Sequence, residues 1–73
     1  MKIKTEFKKS GIYCIINIKN GHKYIGSSTN MYQRLMCHRS WLRRESHHSI
    51  YLQRAWNKYG ESMFECYIIE YAN

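Results

Sequence analysis

With 73 residues, the chain is one small domain, whose single core supplies roughly 3–5 kcal/mol. A formal charge of +7 without a single aspartate points to a polyanionic partner, nucleic acid before a membrane surface. No apolar run approaches the roughly 20 residues of a membrane span. The lysine-rich start lacks the continuous apolar stretch of a signal peptide. Cys14, Cys37 and Cys66 are odd in number and do not make a secreted disulfide framework, so a reducing, cytoplasmic setting is expected.

Residues 1–10 read as a basic N-terminal extension, loose through residue 9, and residues 11–73 as the folded domain. The β-branched and aromatic run Gly11–Ile18 predicts a strand. Asn20-Gly21 predicts a two-residue hairpin turn, and His22 to Gly26 the returning strand. Ser27, Ser28, Thr29 and Asn30 offer N-caps for a first helix running to about Arg44. Met31, Leu35, His38 and Leu42 form its core-facing stripe. Ser49 caps a second helix with Leu52, Ala55, Trp56 and Tyr59 on its apolar face and Gly60 at its end. Residues 63–71 complete the order as a third strand. The expectation is a small α+β domain, β-β-α-α-β, with a three-stranded antiparallel sheet and the first strand in the middle.

A two-residue turn sets Tyr24 opposite Asn17, Gly26 opposite Ile15 and Ser28 level with Tyr13. Side chains alternate along a strand, so Tyr13 and Tyr24 project from one face with Gly26 as a bare floor between them. A slip of one residue would send Tyr24 to the other face.

Gly11-Ile12-Tyr13, a ten-residue gap and Tyr24-Ile25-Gly26-Ser27-Ser28 resemble the signature of the GIY-YIG nuclease family. Asn30 to His38 is similar to the family's first helix. Ser49 to Gly60 resembles the second helix of phage-type homing endonucleases, and Phe64 to Glu70 their third strand. The resemblance implies a host-cytoplasm setting if the chain is phage-encoded. It also implies catalytic roles for five residues. Tyr13 would help deprotonate the attacking water, and Tyr24 would orient water or phosphate. Arg34 would stabilise negative charge on the scissile phosphate, His38 is a helix histidine associated with activity, and His47 (or its neighbour His48) is a second histidine. Such types suit phosphodiester hydrolysis, in which charge develops on non-bridging oxygens that a guanidinium meets in bidentate fashion.

Gly26, Ser27, Arg39, Arg43, Arg54 and Lys58 are expected to bind substrate, the basic ones interleaved with Trp41, Tyr51 and Tyr59 as phosphate contacts. Family enzymes use Mg or Mn held by a glutamate on a helix beyond the third strand. This chain ends before that helix is expected, so Mg or Mn is implied only if it is active. Glu65 and Glu70 have opposite parity, so at most one faces the tyrosines. No Cys-x-x-Cys or His-x-x-x-His pair supports zinc. Tyr67, Ile69 and Tyr71 are expected to form one exposed patch for a protein partner or a second copy. The leading expectation is a nuclease-like domain that binds DNA phosphates and is catalytically incomplete alone. The alternatives are an active divalent-metal-dependent DNA endonuclease and a protein-binding inhibitor that reuses the fold.

Overall fold

In the β-branched, aromatic run Gly11–Asn17 (β1), residues of both faces are withdrawn from water, as befits a central strand. The computed structural model describes residues 1–72 and pairs β1 on one side with β2 (Lys23–Ser28) and on the other with β3 (Phe64–Tyr71), both antiparallel. Helices α1 (Met31–Arg43) and α2 (Ile50–Tyr59) lie between β2 and β3 in the chain, and short 3-10 turns at Thr5–Phe7 and Glu61–Met63 complete the order. Asn30 accepts from the Gln33 N–H and Ser49 from the Leu52 N–H, so a side-chain oxygen caps each helix. The buried stripe of α1 is Met31, Leu35, His38 and Leu42, and that of α2 is Leu52 and Trp56. Both pack on the sheet face that carries Tyr13, Ile15 and Phe64. Among the described residues no helix is long and apolar enough to cross a membrane.

The hairpin differs from expectation. Asn20-Gly21 does not form a two-residue turn; the connection is the longer loop from Ile18 to Gly21. It closes by the Asn17 N–H donating to the His22 carbonyl (2.9 Å) and the Gly21 N–H donating to the Asn17 carbonyl (2.7 Å). The Asn17 side chain takes the Lys19 N–H, and the Met63 carbonyl takes the Ile18 N–H. These bonds draw the chain after Asn17 toward β3 before it can pair with β2. The register becomes Ile15 opposite Tyr24, Tyr13 opposite Gly26 and Gly11 opposite Ser28. Relative to expectation the slip is two residues, so parity survives and both tyrosines keep one face.

A bulge in β3 overturns two further expectations. Ile12 pairs with Glu70 and Tyr13 with Ile68, leaving Ile69 as the extra residue. Beyond it every side chain changes face. Glu65 (opposite Ile16) and Glu70 (opposite Ile12) therefore share the outer face, away from the helices, so neither faces the tyrosines. Tyr67, opposite Cys14, and Tyr71, opposite Gly11, lie on opposite faces, so Tyr67, Ile69 and Tyr71 are exposed but do not make one patch.

The N-terminal residues are not loose. Phe7 is buried in the core, with Met1 and Ile3 packed against it. The Met1 ammonium donates to Glu61, Arg39 donates to the Met1 carbonyl, and the Cys66 thiol donates to the Lys2 carbonyl. Three apolar residues at positions 1, 3 and 7 carried that signal amid the lysines. All three cysteines are free thiols, and burial pushes that of Cys66 up to about 11.

Candidate active site

Tyr13 stands on the helix-facing side of β1 with only 2 % of its surface exposed. Its ring lies on the bare backbone of Gly26 across the strand pair. A Cβ there would sit 2.6 Å from Tyr13 Cζ, far inside contact distance. Gly11 has a similar reason to be glycine, because a Cβ would run into the Glu70 carbonyl and lie 2.9 Å from Met31 Cε. The two glycines of the motif are thus places where a side chain or a backbone approaches too closely for any larger residue.

The α1 stripe carries His38 beneath the sheet, where its Nε2 lies 2.6 Å from Tyr13 Oη. His38 Nδ1 lies 2.6 Å from His47 Nε2. Those two rings are 26° from coplanar with centroids 4.9 Å apart, the spacing of imidazoles joined nitrogen to nitrogen rather than face to face. The segment between the helices fixes His47: its N–H donates to Gln53 Oε1, and its Nδ1 accepts the Ser49 N–H at 3.0 Å. Gln53 also donates to the Leu42 carbonyl and to Asn57, tying this segment to both helices. His48 lies against His47 with 4.4 Å between centroids and 23° between planes, and bonds Tyr24 Oη at 3.0 Å. Tyr24 in turn sets its ring edge-on to His38 and His47.

Of the expected catalytic residues, Tyr13, Tyr24, His38 and His47 therefore form one hydrogen-bonded and ring-packed cluster. Arg34 joins it from the exposed side of α1, its guanidinium 5.4 Å from the centre of the Trp41 ring. Trp41 itself stands edge-on to His38 and His47. His48 and Trp41 belong to the site beyond the expected catalytic set. Trp41 was legible in one respect: it is three residues after His38 and seven after Arg34, on the same side of α1. His48 was offered only as the alternative to His47, because neighbouring histidines in a connection carry no periodicity to tell them apart; the structure brings both into the cluster.

Burial, then repulsion from His47 and Arg34, pushes the His38 imidazole down to about 4. Burial and the neighbouring His48 lower His47 as well. Burial raises the Tyr13 phenol above its usual value, with the Arg34 guanidinium opposing it. At neutral pH the buried part of the site is thus a phenol and two neutral imidazoles beside a fixed guanidinium. Phenol hydroxyls and a guanidinium on one face suit an incoming anion. A cavity of about 630 Å³ opens next to Tyr24 between β2 and the start of α2, bordered by Lys23, Tyr24, Ser49 and Tyr51.

The expected substrate-binding residues divide. Gly26 lies inside the cluster. Ser27 pairs with Ile12 and points to the outer face, away from the site. Arg43 is held in a fork on Glu61 by two bonds of 2.7 Å, which hold that carboxyl down at about 2. Arg39 bonds the Met1 carbonyl and the Met36 sulfur. Both are tied to the N-terminal segment, Arg39 directly and Arg43 through Glu61, which also takes the Met1 ammonium. Arg54 and Lys58 are exposed on α2, with Lys58 over the Tyr59 ring.

The residues present do not fit a divalent cation. Among the described residues no group of three or more His, Cys, Asp or Glu side chains could hold one. The facing nitrogens of His38 and His47 are turned on each other and on Tyr13. All five acids are elsewhere: Glu6 beside Lys4, Glu45 on Asn57, Glu61 on Arg43, and Glu65 and Glu70 on the outer face.

Comparison with known proteins bears on the family and the fold. The profile of the GIY-YIG catalytic domain matches residues 9–73. The chain is 45% identical over 62 residues to "Intron-associated endonuclease 1" of Enterobacteria phage T4, covering 85% of this chain and 25% of that protein. It is 41% identical over 63 residues to "Probable intron-encoded endonuclease 1" of Neurospora crassa, covering 86% of this chain and 19% of that one. The chain thus spans a quarter or less of the length of these relatives. Two solved structures of the catalytic domain of the homing endonuclease I-TevI are similar throughout the fold. One superposes with a TM-score of 0.84 at 42% identity, covering 88% of this chain and 68% of that one. The other, a glutamate-to-alanine mutant, gives 0.82 at 44%, covering 88% and 65%. The chain belongs to the GIY-YIG catalytic domain family.

Proposed function

We propose that this chain engages a phosphodiester of DNA and, as it stands, holds the bond without turning it over. Tyr13 and Tyr24 offer hydroxyls to the phosphate and its attacking water, and Arg34 meets the negative charge. His38, His47 and His48 hold the two tyrosines in place. The observation that carries this reading is the meeting of Tyr13, Tyr24, His38 and His47 over Gly26 with Arg34 alongside, in a site that no carboxylate of the described residues reaches. Divalent-metal dependence is general in the family. The carboxylate for that metal would have to come from outside the described residues.

The test is duplex-DNA binding at increasing salt, followed by plasmid nicking in Mg²⁺ or Mn²⁺. Affinity should fall steeply with salt. Arg34→Ala should weaken it by roughly tenfold or more, the worth of a charge-assisted contact. The unaided chain should leave supercoiled plasmid intact. Salt-insensitive binding, or none, would sink the DNA reading. Nicking abolished by Tyr13→Phe and Arg34→Ala would instead make the chain a complete endonuclease.

A further inference from the structure

The hydrogen bonds that join Tyr13 to the two buried histidines have a direction, and a backbone amide sets it. The Ser49 N–H can only donate, so His47 Nδ1, 3.0 Å away, must carry a lone pair. A neutral imidazole keeps one proton, and that of His47 must then sit on Nε2, facing His38 Nδ1 at 2.6 Å. His38 Nδ1 is therefore an acceptor, and the His38 proton must sit on Nε2, facing Tyr13 Oη at 2.6 Å. The opposite direction fails at its last step. If Tyr13 donated to His38 and His38 to His47, both nitrogens of His47 would be acceptors, which is an imidazolate. A cationic His47 fails too, because its Nδ1–H would oppose the Ser49 N–H. A cationic His38 would set its Nδ1–H against the His47 Nε2–H.

We infer that Ser49 N–H, His47 and His38 form a one-way donor chain ending on Tyr13 Oη, so that Tyr13 directs its own proton away from the histidines and never to them. His47 and the Ser49 amide are positioning groups, acting on Tyr13 through His38. His38 is a donor to the phenol oxygen and has no lone pair with which to serve as its base. Arg34, the nearby cation that favours the phenolate, also has only donors. The Tyr13 proton is thereby left for an oxygen from outside this chain of bonds, a water or a phosphate. Once it has gone, the phenolate keeps the His38 N–H that the phenol already had. The low values of His38 and His47 agree with two imidazoles that stay neutral. Only the use of Tyr13 on a phosphodiester rests on the proposed function; the direction of the chain does not.

The direction can be read without DNA or turnover. In ¹⁵N-labelled protein near pH 7.5, long-range proton–nitrogen correlation assigns the tautomer of each histidine. His38 and His47 should each appear as the single Nε2–H form, with a bare Nδ1. An Nδ1–H form of either, or a mixture in wild-type protein, overturns the inference. Two variants then test the amide. Ser49→Ala keeps the N–H and loses only the α2 cap, and both tautomers should be unchanged. Ser49→Pro removes the N–H as well, at a backbone angle of −88° just beyond proline's usual range, and in the folded variant His47 and His38 should both become tautomer mixtures. Tautomers that stay fixed in folded Ser49→Pro would remove the amide as their cause. If that variant does not fold, the wild-type spectrum still decides the direction.

Discussion

Gly26 is the residue on which the tyrosine site turns. A methyl group added there meets the Tyr13 ring 2.6 Å from Cζ, and the ring cannot retreat, because Oη is bonded to His38 and only 2 % of the residue is exposed. Gly26→Ala should therefore cost about 1–3 kcal/mol in a urea melt, the range for overpacking, and break the Tyr13–His38 bond. An unchanged midpoint and an unchanged His38 spectrum would show that the ring can slide aside. At this scale much was legible. Tyr13, Gly26 and Tyr24 could be placed on one face by counting alternate residues, and Arg34 and His38 on one side of a helix by their spacing of four. Counting could not say that the Tyr13 ring covers Gly26, because that depends on which residues pair. Nor could it say that Arg39 and Arg43 serve Met1 and Glu61, since a basic helix face looks the same whether it meets phosphate or its own N-terminal segment.

Elements were legible where a period or a cap marked them, and less so where tertiary bonds chose among local options. The buried stripe of α1 and the Ser49 cap follow from sequence spacing. The hairpin loop and the β3 bulge do not, because the carbonyl of Met63 and the side chain of Asn17 set the first, and the β1 pairing sets the second. The end of α1 holds a similar surprise. Ser46 donates to the Trp41 carbonyl and Glu45 to that of Leu42, a helix stop that usually holds glycine at the left-handed position. Here that position is Glu45, with φ at 55°. Its carboxylate accepts from Asn57, an exposed bond of small worth. This turn launches the segment that carries His47 and His48, so its strain lies directly upstream of the site. Glu45→Gly should be more stable than Glu45→Ala by about 1 kcal/mol, since both lose the Asn57 bond and only glycine sheds the left-handed penalty. Equal midpoints in parallel urea melts would mean that the turn relaxes without cost.

For the whole molecule, the buried histidines make acid the chief threat to a domain with little stability to spare. Tyr13, Tyr24, Arg34, His47 and His48 surround His38; none is a carboxylate that could stabilise its charged form. Its folded value of about 4 lies below the ordinary 6.5, so the unfolded chain binds the proton first as pH falls. Stability is therefore complete above about pH 7 and is lost progressively from 6.5 toward 4, by roughly 3 kcal/mol at most from His38. His47, also lowered, acts in the same direction. Glu61, held at about 2, adds its own loss only at lower pH, from its ordinary 4.5 downward. A loss of that size approaches the roughly 3–5 kcal/mol that a single small core supplies. Melting temperature should thus be flat between pH 7 and 8 and drop by roughly ten degrees or more by pH 5, most of the fall coming before the carboxylates titrate. His38→Gln, which can still donate to Tyr13 but cannot titrate, should lower the melting temperature at pH 7.5 and flatten its fall toward pH 5. An equally steep fall in that variant would assign the acid sensitivity to other groups, and a flat wild-type profile would mean that the cluster takes up protons without opening.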